Sequence, residues 1–280
     1  MREEHPTEVE MLVQAAICED LNGDGDVTSR YFVSEEARGK ARIFAKEDCR
    51  LSGVTVAARV FQALDHLVDT ELVAENGALL KTGDTVLTIE GSLRTILTGE
   101  RSALNFLQHL SGVATLTEEF VSCIEGTNAT LLDTRKTTPG YRALEKQAVA
   151  HGGGTNHRMG LYDHVMVKDN HLLAEPDLER IPAVIEQLKI DYPNKRIQLE
   201  ADTIQQLQTF LGFDGVDSVL LDNMPPETLR EAVELRDVEN PKVKLEASGG
   251  VNLESIRAIA ESGVDFVSVG ALTHSAVAVD

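Results

Sequence analysis

The sequence predicts an α/β protein whose second half is a parallel sheet of repeated strand–helix units. Two observations carry that expectation. From about Ala129 onward, short apolar runs alternate with helical patterns, and the runs end at Asp133, Lys168, Glu200, Asp222, Glu246 and Gly270. The intervening helices carry their own punctuation: Pro139, Pro176 and Pro226 near starts, Asn252 as a cap, Gly263 after an end. Such units imply right-handed crossovers. These six runs are too few for a closed eight-stranded barrel of roughly 250 residues. An open barrel and a doubly wound sheet both fit, and an extra strand near Val149 to His151 would favour the barrel.

The first half is read element by element. Thr7 and Glu10 form a capping-box pattern ahead of Val9, Leu12, Val13, Ala16 and Ile17, one apolar face of a helix ending near Asn22-Gly23. Asp20, Asn22, Asp24 and Gly25 then imitate a calcium loop. Its twelfth position is Tyr31, which cannot supply the bidentate carboxylate, so a solvated connection is expected instead. Alternation around Ala41 to Ala45 predicts a strand, Val54 to Leu64 a helix, and Glu71 to Val73 and Val86 to Glu90 two more strands. Ser92 caps a helix to about Leu110 with Leu93, Ile96, Leu97, Leu104 and Leu107 as its stripe, and Ser111 caps another with Val113, Leu116, Phe120 and Ile124 inward. Arg101 falls on the first stripe, where spacing alone favours an ion pair at a packing seam.

Composition limits the function. The 280 residues carry a formal charge of -20, which argues against general nucleic-acid or anionic-membrane binding. No apolar run approaches a membrane span, and the charged opening MREEHPTEVE lacks a secretory h-region. Cys18, Cys49 and Cys123 are scattered and odd in number, so reduced thiols and a cytoplasmic location are expected.

Against that acidic background, Leu131 to His171 is a cation island. An apolar run ends in Asp133, Thr134, Arg135 and Lys136; Thr138 and Pro139 read as the start of a helix through about Ala150. Gly152 to Gly154 stop it, His157 and Arg158 follow, and a second apolar run, Val165 to Val167, ends at Lys168. Cations thus gather at the carboxyl ends of strands, where βα architectures bind ligands, so an anionic ligand is expected. Ser248-Gly249-Gly250 and Val269-Gly270-Ala271 follow the last two strands, with His274 beyond, where barrels commonly hold phosphate. Glu200 and Asp222 singly suit salt bridges; paired beside a phosphate they suit Mg²⁺, directly or through water, or a developing positive charge. His151, His157, His164 and His171 suggest zinc, but no HExxH or CxxC accompanies them.

The stretches ERSALNFLQHLSGVAT, DTRKTTPG, GGGTNHR, VKDNH, LLDN, EASGG and VGALTH, with GDVTS near the start, resemble the quinolinate phosphoribosyltransferase family over almost the whole chain. Similar chains usually continue several residues past Asp280. The resemblance implies a small N-terminal α/β domain (1–110) followed by an incomplete seven-stranded parallel α/β barrel (111–280). It implies a homodimer, or a larger homo-oligomer, in which the first domain covers the partner's barrel mouth and Arg101 is given across the interface. The implied reaction joins quinolinate to phosphoribosyl pyrophosphate and releases pyrophosphate and CO₂, with Mg²⁺ bound mainly through the donor. Arg101, Thr134, Arg135, His157, Arg158 and Lys168 would line the quinolinate pocket. Lys136, Ser248, Gly249, Gly250, Val269, Gly270, Ala271 and His274 would hold phosphates, with Lys168, Glu200 and Asp222 as the catalytic set. The alternatives are a related phosphoribosyltransferase that takes nicotinate or another acid without decarboxylation, a lyase forming a Schiff base on Lys168, and a silent nucleotide-binding module.

Overall fold

The computed structural model describes residues 7–168, 170–171 and 178–280. The opening residues 1–6, Asp169 and Pro176, all used in the reading above, lie outside them. Contacts divide the chain into two compact units: Met1–Glu118 with Thr137–Gly153 and Leu272–Asp280, and Glu119–Lys136 with Gly154–Ala271.

In the first unit, α1 (Glu8–Leu21) opens with the expected capping box. The Thr7 hydroxyl accepts the Glu10 N–H at 3.3 Å, and the Glu10 carboxylate accepts the Thr7 N–H at 2.7 Å. Asn22, at φ 43°, ends the helix. Asp20, first in the calcium-like pattern, accepts the Ser102 hydroxyl at 2.8 Å. A short helix follows that periodicity could not reveal, α2 (Val27–Phe32), because six residues do not trace a stripe. Asp26 caps it by accepting the Ser29 N–H at 2.9 Å.

Strands β1 (Arg38–Phe44), β3 (Asp69–Leu72) and β5 (Thr85–Ser92) form an antiparallel sheet in the order β1-β5-β3. The third of these predicted runs is confirmed, and the Glu71 to Val73 run begins two residues earlier than expected. Two-residue strands β2 (Cys49–Arg50) and β4 (Leu79–Leu80) pair with each other and are too short for alternation to show. Helix α3 (Val54–Leu64) lies where predicted, with Val54, Ala57, Val60 and Phe61 buried.

The two helices expected either side of Ser111 are one, α4 (Leu93–Cys123). Ser111 is buried within it, and its hydroxyl accepts the Ser52 N–H at 3.0 Å and donates to the Ser52 carbonyl at 3.1 Å. A serine satisfied by another segment has no need to cap its own helix. Gly112 beside it admits the carbonyl of Val277, into which any Cβ would run. The tail continues as a strap: the Val279 N–H donates to Gln108 O at 3.1 Å, and Lys46 Nζ meets the Asp280 carboxylate at 2.9 Å.

Helix α5 runs Arg142–His151, later than the expected start at Thr138 and Pro139. The cause is a buried acid: Glu145, in the first turn, accepts the Thr138 N–H at 3.0 Å and pairs with His109 Nε2 at 2.8 Å. Residues 138–141 are thereby drawn back over the helix start as a turn. Val149 to His151 belong to this helix, so no strand forms there.

The second unit is a parallel sheet: β6 (Thr130–Leu132), β7 (Val165–Val167), β8 (Ile197–Ala201), β9 (Ser218–Asp222), β10 (Lys244–Ser248) and β11 (Phe266–Ser268), ordered β6-β11-β10-β9-β8-β7. An isolated parallel bridge from Thr155 to Leu132 extends the ring beyond β6 by one residue, so the extra strand is reduced to a single pairing. The ring therefore stays an incomplete barrel. Its helices include α6 (Ile181–Asp191), α7 (Ile204–Leu211), α8 (Pro226–Glu239), α9 (Ile256–Ala260) and α10 (Ala271–His274), the last reaching into the first unit. Leu207, Phe210, Leu229, Ile256 and Ile259 on these helices are buried. Pro226 opens α8 as expected, whereas Asn252 caps only the turn before α9, its side chain accepting the N–H groups of Glu254 and Ser255 at 3.0 Å.

Candidate active site

Parallel strands put all their carboxyl ends on one edge, and there the charged residues collect. Arg135 and Lys136 follow β6, Arg158 follows the Thr155 bridge, Lys168 follows β7, Glu200 lies on β8 and Asp222 ends β9. Ser248 ends β10, leading into Gly249-Gly250, and β11 leads into Val269-Gly270-Ala271. The structure therefore gathers Thr134, Arg135, Lys136, His157, Arg158, Lys168, Glu200, Asp222 and both glycine loops into the second unit. Arg101 and His274 belong to the first unit, on α4 and α10, and both are exposed. Leu97, one turn before Arg101, is also 45% exposed, so this edge of α4 faces outward, while Ile96 and Leu107 of the predicted stripe are buried.

Side chains alternate along a strand, and register selects which share the interior. Glu200 stands level with Leu220, which stands level with Glu246, so β8, β9 and β10 send Gln198, Glu200, Asp222, Glu246 and Ser248 to one face. The Gln198 side-chain N–H confirms this by donating to Glu246 at 2.7 Å. The interior at this level is polar.

Two clusters occupy it. In the first, Lys168 Nζ donates to Glu200 at 2.8 Å; the carboxylate is buried and the lysine half-exposed. Burial pushes the Asp222 carboxyl upward from the ordinary range, and the negative charge of Glu200 adds to it.

In the second cluster Asp133, wholly buried, accepts the His157 N–H at 2.7 Å and so ties the Gly152–Arg158 loop to the end of β6. His157 Nδ1 accepts the Arg158 N–H at 2.7 Å, which leaves Nε2 as the protonated nitrogen facing Glu246 at 3.1 Å. Burial alone would raise the Glu246 carboxyl, but His157, Gln198 and Ser268 hold it below the ordinary value. His164 stacks on His157 at 5.0 Å, and burial pushes its imidazole down. Arg158 donates to the His164 carbonyl at 3.3 Å; burial, then the nearby Arg135 guanidinium, lowers its hold on the proton. Two guanidiniums that repel each other at one strand edge are a receptor for anions.

Sequence reasoning singled out the cations but missed those that hold them. Asp133, Gln198, Glu246 and Asn223 were visible only as strand residues or loop polar groups. Alternation would have put Gln198 and Glu246 on the side of Glu200, had the register between strands been known.

Among the described residues no group of three His, Cys, Asp or Glu side chains is arranged to hold a metal. Glu200 and Asp222 offer two carboxylates, a donor set that suits a hard cation already held by a phosphorylated ligand.

Family models agree with this architecture. Residues 26–111 match the N-terminal domain, and residues 113–280 the C-terminal domain, of quinolinate phosphoribosyl transferase. The chain is 37% identical over 265 residues to the carboxylating nicotinate-nucleotide pyrophosphorylase of Mycobacterium leprae, covering 94% of this chain and 92% of that one. It superposes on NadC from Streptococcus pyogenes with a TM-score of 0.90 at 36% identity, covering 100% of this chain and 96% of that one. The nicotinate-nucleotide pyrophosphorylase of Francisella tularensis gives a TM-score of 0.88 at 36% identity, covering 98% and 94%. With both family domains matched end to end and its cations collected at one strand edge, the chain belongs to the quinolinate phosphoribosyl transferase family.

Proposed function

We propose that the protein transfers the phosphoribosyl group of phosphoribosyl pyrophosphate to the ring nitrogen of quinolinate, with loss of CO₂, to give nicotinate mononucleotide and pyrophosphate. The observation that carries this reading is the convergence of Arg135, Arg158 and Lys168 on one sheet edge beside Glu200 and Asp222. Quinolinate has two adjacent carboxylates, and arginine forks bind carboxylates in a bidentate manner where lysine offers a point charge. Arg135, Arg158 and Lys168, with Thr134 and His157, hold the dicarboxylate. His157, neutral at Nδ1 and fixed at Nε2, orients Arg158 as well as lining the pocket. Lys136, Ser248, Gly249, Gly250, Val269, Gly270, Ala271 and His274 take the phosphates of the donor.

Transfer needs no side-chain nucleophile. As pyrophosphate departs, positive charge develops at the ribose carbon, and the Glu200–Asp222 pair stabilises it by preorganised charge. Burial, then the Glu200 charge, raises the proton affinity of Asp222. Lys168, bridged to Glu200, fixes the dicarboxylate near the attacked carbon. Glu200 and Asp222 would hold Mg²⁺, directly or through water, and the ion would supply charge neutralisation to the leaving pyrophosphate. Once alkylated, the positive ring nitrogen stabilises the electron pair that departing CO₂ leaves on the ring carbon, and that carbon then takes a proton from water to give the mononucleotide.

The division of labour follows residues 1–110 and 111–280. In a homodimer the first part of each chain covers the partner's barrel mouth and lends it Arg101; the outward edge of α4 supports this. The three free cysteines support a cytoplasmic site of action. The test is incubation with quinolinate, phosphoribosyl pyrophosphate and Mg²⁺. CO₂ and the mononucleotide should appear together, and mononucleotide from nicotinate without CO₂ would reject the reading. Replacing Arg101 by Ala should raise the quinolinate KM strongly and the donor KM little; equal rises would remove Arg101 from the dicarboxylate.

A further inference from the structure

Asn223, immediately after Asp222, is one of two non-glycine residues with positive φ among the described residues, at 54°. Asparagine tolerates this left-handed conformation better than most residues, though glycine would adopt it more readily. Something therefore requires the side chain. Its amide nitrogen donates to Asp222 Oδ2 at 2.5 Å, and its backbone N–H donates to the Ser248 carbonyl at 2.8 Å. Since the carboxylate takes the amide nitrogen, the amide oxygen turns the other way, towards Gly249. There the carboxamide fills the space a Cβ on Gly249 would occupy, and the Asn223 backbone nitrogen lies 2.9 Å from that same position. Gly249, at φ 97°, is glycine for two reasons, and Asn223 is one of them.

One residue thus touches the end of β9 and the loop after β10, which are held in register by the Ser248–Asp222 pairing. It is exposed at the rim and buries little, so core packing does not account for it. Aspartate could adopt the same backbone, but it would set a third carboxylate against Asp222 and Glu200. Glycine could adopt it too, but would leave Asp222 without its donor. Only an amide satisfies both demands.

We propose that Asn223 is a positioning residue that couples the Asp222 carboxylate to the Gly249 loop, so that the ribose side and the phosphate side of the donor pocket are set together. This rests on the phosphoribosyl-transfer reading for the name of the donor, not for the coupling itself.

Two measurements test it. In steady-state kinetics Asn223→Gly should keep the wild-type melting temperature while kcat/KM for phosphoribosyl pyrophosphate falls roughly tenfold to a hundredfold, with quinolinate KM within about twofold of wild type. Asn223→Asp should lose more kcat than Asn223→Gly. Unchanged donor kinetics, or an equal loss for both substrates together with a lower melting temperature, would overturn the proposal. The second measurement is a thermal double-mutant cycle of Asn223→Gly and Gly249→Ala, in which the alanine should cost clearly less when the carboxamide is gone. Additive shifts would sever the link between the two loops. The cycle needs no substrate, so it reads the coupling even if wild-type protein fails to turn over quinolinate, a result that would instead remove the proposed function.

Discussion

Glu246 is a buried carboxylate with no direct place in the transfer chemistry, yet it stands behind a residue that has one. It takes the Nε2 proton of His157, whose Nδ1 takes the Arg158 N–H, so the backbone carrying Arg158 is set from the barrel interior. Changing Glu246 to Gln keeps the shape but replaces a charged acceptor by a neutral amide, which weakens its hold on His157 Nε2–H. The expected outcome is a loss of quinolinate kcat/KM of roughly tenfold to a hundredfold with donor KM nearly constant, read from initial rates. A mutant with both KM values unchanged would show that Arg158 needs no such support.

Among the elements, α4 and the β10–β11 connection make separable predictions. Gly112 lets the tail carbonyl of Val277 meet α4, and Gly112→Ala puts a methyl group into that carbonyl. The strap through Val279 and Asp280 should loosen, at a cost of about 1–3 kcal/mol in denaturant unfolding, with faster proteolysis of the last residues. At the opposite end of the sheet, Asp265 receives Lys244 at 2.6 Å, Arg236 at 2.7 Å and the Leu245 N–H at 2.9 Å. Burial opposes its charge, but these donors outweigh burial and hold the carboxyl below its ordinary value. A depressed folded value means stability that is present above the unfolded carboxylate range and lost as pH falls through the folded one. Asp265→Asn should therefore cost roughly 1–3 kcal/mol at pH 7, a difference that shrinks as pH falls through the folded value and wild type loses the same contribution. Equal melting temperatures at pH 7 would refute the assignment.

For the whole molecule, the net charge of -20 contrasts with the cations at one sheet edge. The proposed shared site makes this testable with two inactive chains. An Arg101→Ala chain mixed with a Lys168→Ala chain forms hybrids in which one of two sites carries both intact residues, so random mixing should restore about a quarter of wild-type activity. No recovery in hybrids verified by mass would leave each site to a single chain.

The sequence by itself determined what depends on local chemistry. The capping box at Thr7, the α3 stripe, the repeated βα pattern and the positions of Arg135, Lys168, Glu200 and Asp222 at strand ends were all legible, because periodicity and capping act over a few residues. Tertiary structure decided what depends on distant partners. Ser111 does not start a helix because Ser52 satisfies it, and α5 starts late because Glu145 reaches back to Thr138. Register alone brought Gln198 and Glu246 behind His157, and it was folding that left Val149 to His151 helical and gave the sheet one bridge at Thr155 instead. Hydrogen-bond partners dozens of residues apart leave no periodic trace, so only folding reveals which cations are held and what holds them.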